Sequence, residues 1–268
     1  MIATDLLTIA GIRRRLRTAT VGGQLYLFGE VDSTNAKLRT LARGGARTGT
    51  VVLAEGQTAG RGRRGQEWFS PSGVNLYASV LLRPALGLPE LPVFSLIAPL
   101  AVADALRDFG VSAGIKWPND LLVNGKKVGG TLVECAMRGD EIEYVILGVG
   151  VNLNVDPLVL RAALGPAGVF ATSLAALVGR EVDRNEFAAA YLNHLDAWVQ
   201  AWEAGRSDAI RAAWADHDIL TGRRVTVRGR DTAYEGRAVG VDANGSLLVQ
   251  DSLGQRHALT VEEVRFAD

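Results

Sequence analysis

Two stretches, EGQTAGRGRRGQEW (55–68) and KWPNDLLVNGKKVGG (116–130), decide the fold and the chemistry predicted for this chain. The first leaves an apolar strand at 50–57 and enters a long glycine- and arginine-rich loop with no apolar period, at 58–73. Loops of this length inside a compact domain usually bind ligands or cover sites. The second stretch contains Asn124-Gly125, the pair favoured in two-residue type I′ turns, and therefore predicts a hairpin over 114–137.

The rest of the chain predicts an α+β fold in two parts. Hydrophobic periodicity and turn residues predict strands at 24–31, 50–57, 74–84 and 141–155 and helices at 4–18, 36–45, 91–110, 182–204 and 208–217. From residue 222 onward the pattern is short strands with turns, which is typical of a small barrel of the SH3 kind. We therefore expect a domain over 1–218, a mixed, mostly antiparallel sheet with helices against one face, and a small β domain over 219–268.

Composition excludes several classes of protein. The 268 residues contain 29 Lys plus Arg and 29 Asp plus Glu, so the net charge is zero and a nucleic-acid-coating protein is not indicated. The single cysteine, Cys135, excludes an intrachain disulfide and a CxxC zinc site. The three histidines form no metal-binding pair such as HxxxH.

Neither a signal peptide nor a membrane span is predicted. Asp5 precedes the basic run near the N-terminus, which is the reverse of a secretory signal. The longest uncharged stretch, 162–179, contains three glycines and a proline and is predicted to be loop plus a short helix. The basic helix at 4–18 is interpreted as a solvated face, since a helix-turn-helix would need more chain before residue 20. A cytoplasmic location is therefore expected.

The loop contains GRGRRG (60–65), which matches the dinucleotide-binding pattern GxGxxG. That pattern requires a tight turn from a strand directly into a helix and an acid about 20 residues later. Here Gln57, Thr58 and Ala59 follow the apolar part of the strand before the first glycine, Pro71 and Gly73 oppose a helix, and no acid follows at that distance. Dinucleotide binding is therefore not favoured, and no P-loop motif is present.

The cations around these motifs predict an anion-binding site. Glycines allow backbone N–H groups to approach an anion, and arginines bind carboxylates and phosphates through two hydrogen bonds. Lys116 and Lys127 flank the predicted turn and can lie on adjacent strands, where they would stabilise developing negative charge. By itself, the loop could equally be a solvated basic segment.

Four segments taken together resemble one family. DSTN (32–35), EGQTAGRGRRGQEW, KWPNDLLVNGKKVGG and GVGVNLN (148–154) occur in this order, and they resemble the biotin protein ligases. The resemblance covers nearly the whole chain. Members that bind DNA carry an N-terminal winged helix, which this sequence lacks, so the chain resembles the monofunctional members. It implies a catalytic domain like that of class II aminoacyl-tRNA synthetases, followed by an SH3-like domain.

The resemblance also implies a reaction. Biotin and ATP, with Mg²⁺, would give biotinyl-5′-AMP and pyrophosphate, and the biotinyl group would then pass to a lysine of a biotin carboxyl carrier domain. Mg²⁺ ligands cannot be assigned because the motifs contain no cluster of acids. The family includes monomers and dimers, so a homodimer is one state the resemblance allows, while DNA and membranes are not expected as partners.

Site residues follow from the same resemblance. Biotin would contact Ser33, Thr34, Asn35, Gln57, Gly60, Arg61, Gly62, Arg63, Lys127, Gly129 and Gly130. ATP or the adenylate would contact Arg61, Arg63, Arg64, Trp68, Lys116, Asn119 and Asn152. The catalytic set would be Lys116, Lys127, Arg63 and Asp120, with Asp120 orienting or deprotonating the incoming lysine. Ser33 is also a candidate helix N-cap.

Two other functions are alternatives to biotin ligation. A lipoate–protein ligase or octanoyl transferase shares the fold, but those families lack GRGRRG together with KWPND. Lipoate also has no ureido ring to contact Ser33, Thr34, Asn35 and Gln57. A non-catalytic biotin sensor is the second alternative, and the presence of both Lys116 and Lys127 argues against it.

Overall fold

The structure is a computed structural model that describes residues 6–229, 233–242, 244–260 and 263–267. Its helices are α1 (Ile9–Arg13), α2 (Thr34–Arg43), α3 (Val93–Asp108), α4 (Pro157–Leu164), α5 (Leu174–Val178), α6 (Arg184–Glu203) and α7 (Ser207–His217). Its strands are β1 (Gln24–Val31), β2 (Thr50–Gln57), β3 (Leu76–Leu82), β4 (Gly114–Lys116), β5 (Asp120–Val123), β6 (Lys126–Arg138), β7 (Glu141–Val151), β8 (Arg224–Arg228), β9 (Ala233–Val241), β10 (Leu247–Gln250), β11 (Arg256–Leu259) and β12 (Glu263–Phe266).

A seven-stranded sheet forms the larger part of the molecule, in the order β1-β2-β3-β7-β6-β5-β4. The β1–β2 pair is parallel and its other neighbouring pairs are antiparallel. The mixed, mostly antiparallel sheet predicted from the sequence is therefore confirmed.

Helices cover both faces of this sheet, so the prediction of helices on one face is wrong. Alternate residues of the central strands point to opposite sides: Val80 lies in the large core with α3 and α6, whereas Leu81 lies in a smaller cluster. That smaller cluster also contains Leu38 and Ala42 of α2. Both faces of β2, β3 and β7 thus carry apolar side chains, as expected for strands buried on both faces.

Helix α3 forms the centre of the larger core. Twelve of its sixteen residues are buried, and it packs against α6 and α7. Judged by length and composition alone, Leu88–Asp108 is the one segment of the described residues that could cross a membrane. Its burial inside the protein explains its apolar composition.

The predicted N-terminal helix is much shorter than expected. The sequence pattern predicts it over 4–18, whereas α1 spans Ile9–Arg13, and residues 1–5 lie outside the described residues. Side chains of α6 take the backbone N–H groups that a longer helix would use. The side-chain oxygen of Asn193, for example, accepts a hydrogen bond from the N–H of Arg17 at 2.7 Å.

A buried ion pair joins the N-terminal part of the sheet to α6. Arg184 Nη1 lies 2.7 Å from Glu55 Oε2, and the arginine side chain is 1% exposed. The other carboxylate oxygen of Glu55 accepts a hydrogen bond from the N–H of Leu7 at 2.8 Å. One carboxylate therefore connects β2, α6 and the chain before α1.

The C-terminal residues form the second sheet, whose described strands are antiparallel in the order β11-β10-β9-β8-β12. This confirms the predicted small β domain. The small domain contacts the larger one directly. Trp117, in the turn after β4, donates a hydrogen bond from Nε1 to the carbonyl of Gly245, between β9 and β10, at 3.1 Å. A Cβ at Gly245 would lie only 2.8 Å from the Pro92 carbonyl at the start of α3, so the contact requires glycine.

Cys135 lies on β6 with its side chain exposed. Desolvation by partial burial is the main cause that raises the pKa of the thiol. The negative charge of Glu134 raises it further. A raised pKa disfavours the reactive thiolate form of this side chain.

Candidate active site

A cleft of about 620 Å³ lies over the β7-β6-β5-β4 half of the larger sheet. Its lining includes Gly150 of β7, Gly130 of β6, Asp120 of β5 and Lys116 of β4. The start of α2 and the glycine-arginine loop also line it, and the small β domain completes one side. Segments from distant parts of the sequence therefore meet at one site.

Most of the site residues predicted from the sequence are brought together here. The cleft is lined by Ser33, Thr34, Asn35, Gln57, Arg61, Gly62, Arg63, Arg64, Trp68, Lys116, Asn119, Asp120, Lys127 and Gly130. Gly60, Gly129 and Asn152 do not line it. Asn152 is buried, and its side-chain N–H donates to the Thr172 carbonyl at 3.0 Å, so its amide is turned away from the cleft. Its contact with adenine remains a prediction.

The two lysines do not lie on adjacent strands, contrary to expectation. KWPNDLLVNGKK folds as three strands, with β5 between β4 and β6, and a turn at Trp117–Asn119 separates the first two. Asp120 pairs with Lys116 across the ladder, and its Oδ1 lies 2.5 Å from Lys127 Nζ. The carboxylate therefore lies between the two cations.

Burial and charge lower the pKa of Lys116 below the ordinary lysine value. Desolvation is the main cause, while Asp120 acts in the opposite direction and Lys127 reinforces the lowering. Its ammonium also lies 5.8 Å from the ring centroid of Phe266 in the small domain. Lys116 is thus held in a partly desolvated environment, where its charge acts more strongly on a bound anion.

Polar side chains are linked by hydrogen bonds at the opposite end of the cleft. Thr34 donates its backbone N–H to Gln57 Oε1 at 2.9 Å, and Gln57 Nε2 donates to Ser70 Oγ at 2.9 Å. Ser70 in turn donates to the Trp68 carbonyl at 2.8 Å. Ser33 is the N-cap of α2 by position, but its hydroxyl makes no capping bond. This end of the cleft is therefore rich in hydrogen-bonding groups fixed by one another.

Trp68 lies flat over two glycines of the sheet. A Cβ added at Gly150 would lie 2.4 Å from the indole Nε1, and one at Gly130 would lie 3.5 Å from the ring. Lys127 Nζ is 5.3 Å from the ring centroid, a cation–π distance. The indole N–H is buried and has no hydrogen-bond partner among the described residues. The ring thus forms an aromatic wall suited to stacking a planar base.

The glycine-arginine loop is folded back on itself. The N–H of Gly62 donates to the Gln66 carbonyl at 2.7 Å, and Trp68 N–H donates to the Gly60 carbonyl at 3.0 Å. Gly60 is required for this closure, because a Cβ there would lie 2.5 Å from the Trp68 carbonyl. Arg64 has a left-handed φ of 56°, which is uncommon for a residue other than glycine. The fold of the loop places three arginines along the cleft.

The small domain supplies cleft residues that sequence reasoning missed, namely Glu263, Val264 and Arg265. Glu263 Oε2 lies 3.3 Å from Arg64 Nη1, so β12 is joined to the loop. A hydrogen bond from Arg265 lowers the pKa of the Glu263 carboxyl. No local motif could have revealed these residues, since only packing of the second sheet brings them here.

A smaller cavity of about 220 Å³ adjoins the cleft. The two share Arg63, Pro118, Asn119, Thr131 and Leu132. The rest of its lining is largely apolar and comes from the N-terminal end of α3 and from β6. Arg63 therefore faces both cavities.

The cleft is suited to anions and does not provide a metal cage. Among the described residues its lining includes six cationic side chains, Arg61, Arg63, Arg64, Lys116, Lys127 and Arg265, against three acids, Glu67, Asp120 and Glu263. Nowhere in the described part of the chain do three or more His, Cys, Asp or Glu side chains converge in a metal-binding group. The residues therefore do not form a Mg²⁺ site by themselves.

Family models match both parts of the chain. Residues 28–152 match the biotin/lipoate A/B protein ligase family, and residues 220–261 match the biotin protein ligase C-terminal domain. The chain is 34% identical over 247 residues to the biotin--[acetyl-CoA-carboxylase] ligase of Paracoccus denitrificans, covering 90% of this chain and 99% of that protein. It is 32% identical over 244 residues to the bifunctional ligase/repressor BirA of Bacillus subtilis strain 168, covering 91% of this chain and 74% of BirA.

A solved structure shows the same architecture. The biotin protein ligase from Aquifex aeolicus in complex with biotin and ATP superposes with a TM-score of 0.77 at 26% identity, covering 91% of this chain and 100% of that one. The fold, the cleft and these similarities define the class as a protein ligase of the biotin/lipoate type. The chain belongs to the biotin protein ligases within that class.

Proposed function

We propose that this protein activates biotin with ATP as biotinyl-5′-AMP and transfers the biotinyl group to a lysine of a biotin carboxyl carrier domain. The observation that carries the proposal is the cleft itself, in which a hydrogen-bonded polar end adjoins an aromatic wall and a lysine pair. The names of the relatives and the family models support biotin over lipoate.

In the first step the biotin carboxylate attacks the α-phosphorus of ATP and pyrophosphate leaves. Two anions must meet, which is unfavourable without local positive charge. Lys127 is suited to hold the carboxylate once it exchanges Asp120 for this ligand, and Lys116 is suited to stabilise charge at the α-phosphate. Arg61 and Arg63 would bind the carboxylate and phosphate oxygens.

In the second step the acceptor lysine attacks the acyl carbon and AMP leaves. The amine must first lose a proton, and Asp120, released from Lys127, would accept it or orient the amine. Until that lysine arrives, the loop would keep water from the mixed anhydride. Mg²⁺ would be held chiefly by the phosphates of ATP, because the described residues of the cleft offer no carboxylate cluster.

The direct test is to incubate the protein with biotin, ATP, Mg²⁺ and a biotin carboxyl carrier domain and to measure the mass of the carrier. A gain of one biotinyl group at one lysine is expected. Parallel reactions with lipoate and octanoate supply the comparison. No gain with biotin, or a gain with lipoate or octanoate in its place, would contradict the proposal.

Three further expectations from the sequence stay predictions: a cytoplasmic location, no DNA binding, and a homodimer as one allowed state. Sedimentation with and without biotin and ATP distinguishes monomer from dimer. The boundary between the catalytic domain and the β domain near residue 218 also stays a prediction, which limited proteolysis would test.

A further inference from the structure

A chain of hydrogen bonds runs from the outer surface of α2 into the polar end of the cleft. Arg39 Nη2 donates to Glu134 Oε1 at 2.8 Å, and Asn35 Nδ2 donates to the other oxygen of Glu134 at 2.8 Å. Ser79 Oγ lies 2.6 Å from Asn35 Oδ1 and 2.8 Å from Thr34 Oγ1. Neither Arg39 nor Glu134 lines the cleft.

The chemistry of these groups sets the direction of the chain. A carboxylate only accepts hydrogen bonds, so Glu134 fixes the amide of Asn35 with its N–H outward and its oxygen towards Ser79. An amide oxygen cannot donate, so the single hydroxyl hydrogen of the fully buried Ser79 must lie on the Asn35 side. Ser79 is consequently an acceptor towards Thr34.

Thr34 must then direct its own hydroxyl hydrogen into the protein. It points to Ser79 Oγ at 2.8 Å, and Gln57 Oε1 is a second acceptor at 3.2 Å. The part of the Thr34 oxygen that faces the cleft is left as an acceptor. A ureido ring presents two N–H donors, and an acceptor at this position is complementary to them.

Packing prevents the Asn35 amide from relaxing away from this arrangement. Asn35 lies against Gly148 of β7, where an added Cβ would be 2.3 Å from Asn35 Oδ1. The residue is only 4% exposed. With no room to move, the amide transmits the acceptor character of Glu134 to Ser79.

We propose that Glu134, held by Arg39, is a positioning residue that fixes the hydrogen-bond direction of Asn35, Ser79 and Thr34 and so sets the site to receive ureido N–H donors. The inference rests on the proposed function, because it names how biotin is recognised. The side chains of Glu134 and Arg39 are 29% and 32% exposed. Ion pairs that are this accessible to solvent contribute little to the free energy of unfolding. Their role is therefore expected in binding.

The test is Glu134→Gln, which keeps the shape of the side chain but can donate as well as accept. The Asn35 amide then has two permitted orientations. The dissociation constant of biotin, measured by calorimetry without ATP, is expected to rise about 3- to 10-fold, as one misdirected hydrogen bond would cause. At saturating biotin, kcat and the KM for ATP are expected to stay within about 2-fold.

Glu143→Gln is the matched control, because Glu143 pairs with Arg138 on the same hairpin at 2.6 Å and lies outside the cleft. It should leave biotin binding unchanged. Desthiobiotin, which keeps the ureido ring and lacks the sulfur, should show the same penalty as biotin in Glu134→Gln. A penalty confined to biotin would place the effect at the thioether ring and overturn the proposal.

Ser79→Ala supplies a second, independent measurement, since it breaks the chain between Asn35 and Thr34. In this background, Glu134→Gln should cause no further loss of biotin affinity, because both residues act through one chain. Additive losses, or an affinity in Glu134→Gln equal to the parent, would overturn the inference. A parent protein that binds no biotin would instead contradict the proposed function.

Discussion

Asp120 connects two cations that have different tasks. It lies 2.5 Å from Lys127 and counteracts the lowered pKa of Lys116. Substrate carboxylate and Asp120 compete for Lys127, so the ion pair is expected to open when biotin binds. Lys116 is partly desolvated and is expected to act where charge develops in the reaction.

Removing each lysine should therefore have a different kinetic signature. Lys127→Ala should weaken biotin binding and adenylate formation together, since the carboxylate is already present before reaction. Lys116→Ala should lower kcat by about 10²–10³-fold with less effect on biotin affinity. Calorimetry and pyrophosphate release measure the two quantities. Small and equal effects, under about 3-fold, would remove both assignments.

The lowered pKa of Lys116 also predicts a pH dependence. The protonated lysine is the active form, so kcat for adenylate formation should fall as pH rises through a pKa below that of an ordinary lysine. Asp120→Asn removes the charge that favours the proton and should move this fall to lower pH. Lys116→Arg, which stays charged, should abolish it. The same alkaline fall in Lys116→Arg would assign the titration to another group.

At the scale of elements, the site depends on flat strand surfaces. Gly148 and Gly150 alternate with buried apolar residues on β7, and each leaves room for a side chain that crosses the strand. Asn35 occupies the first space and Trp68 the second. The motif GVGVN therefore shapes two parts of the cleft.

Gly150→Ala should displace Trp68, because the new methyl group would overlap the indole ring. Base–aromatic stacking contributes about 1–3 kcal/mol, so the KM for ATP should rise at least about 5-fold. Biotin affinity should change by less than about 3-fold. Gly29→Ala on β1, where nothing lies within 4 Å of the added Cβ, is the matched control. Equal KM values for ATP in the two variants would argue against stacking on Trp68.

The loop that carries Arg63 is expected to retain the adenylate. Arg63 faces both the cleft and the adjoining cavity, and a guanidinium can bind phosphate oxygens through two hydrogen bonds. Arg63→Gly should leave adenylate formation partly intact but release biotinyl-AMP, which then labels lysines of an unrelated protein. Blotting such a bystander for biotin measures the release. Bystander labelling at the parent level, with adenylation intact, would assign retention to Arg61 or Trp68.

At the scale of the whole molecule, local signals predicted elements well. The strands at 24–31 and 50–57 have the bounds that alternation and apolar runs indicate. Asn124 and Gly125 have φ values of 50° and 73°, as a type I′ turn requires. These features depend on neighbouring residues alone, which is why the sequence reveals them.

Features that depend on tertiary packing could not be predicted in this way. Arg265 reaches the cleft only because the second sheet packs beside β4. The amide of Asn152 follows a motif but is drawn to the Thr172 carbonyl of a later segment. The convergence of most motif residues could be predicted only from the family resemblance, because that resemblance carries tertiary information that composition and periodicity lack.

The buried ion pair of Glu55 and Arg184 should be a main determinant of global stability. Arg184→Ala would leave the mostly buried Glu55 carboxylate, 12% exposed, with the hydrogen bond from the Leu7 N–H. Breaking one side of such a pair costs about 3–5 kcal/mol in the free energy of unfolding. Arg138→Ala, in an exposed pair, should cost less than about 1 kcal/mol. Urea denaturation compares the two, and similar losses would contradict this role.

The exposed thiol of Cys135 makes the protein ready for site-specific labelling. The sequence has one cysteine, so a maleimide dye or spin label would attach at a single place without any engineered substitution. The raised pKa of that thiol makes the labelling slow at neutral pH and faster in alkaline buffer. Because Glu134 contributes to the raised pKa, the rate of labelling would report on its charge.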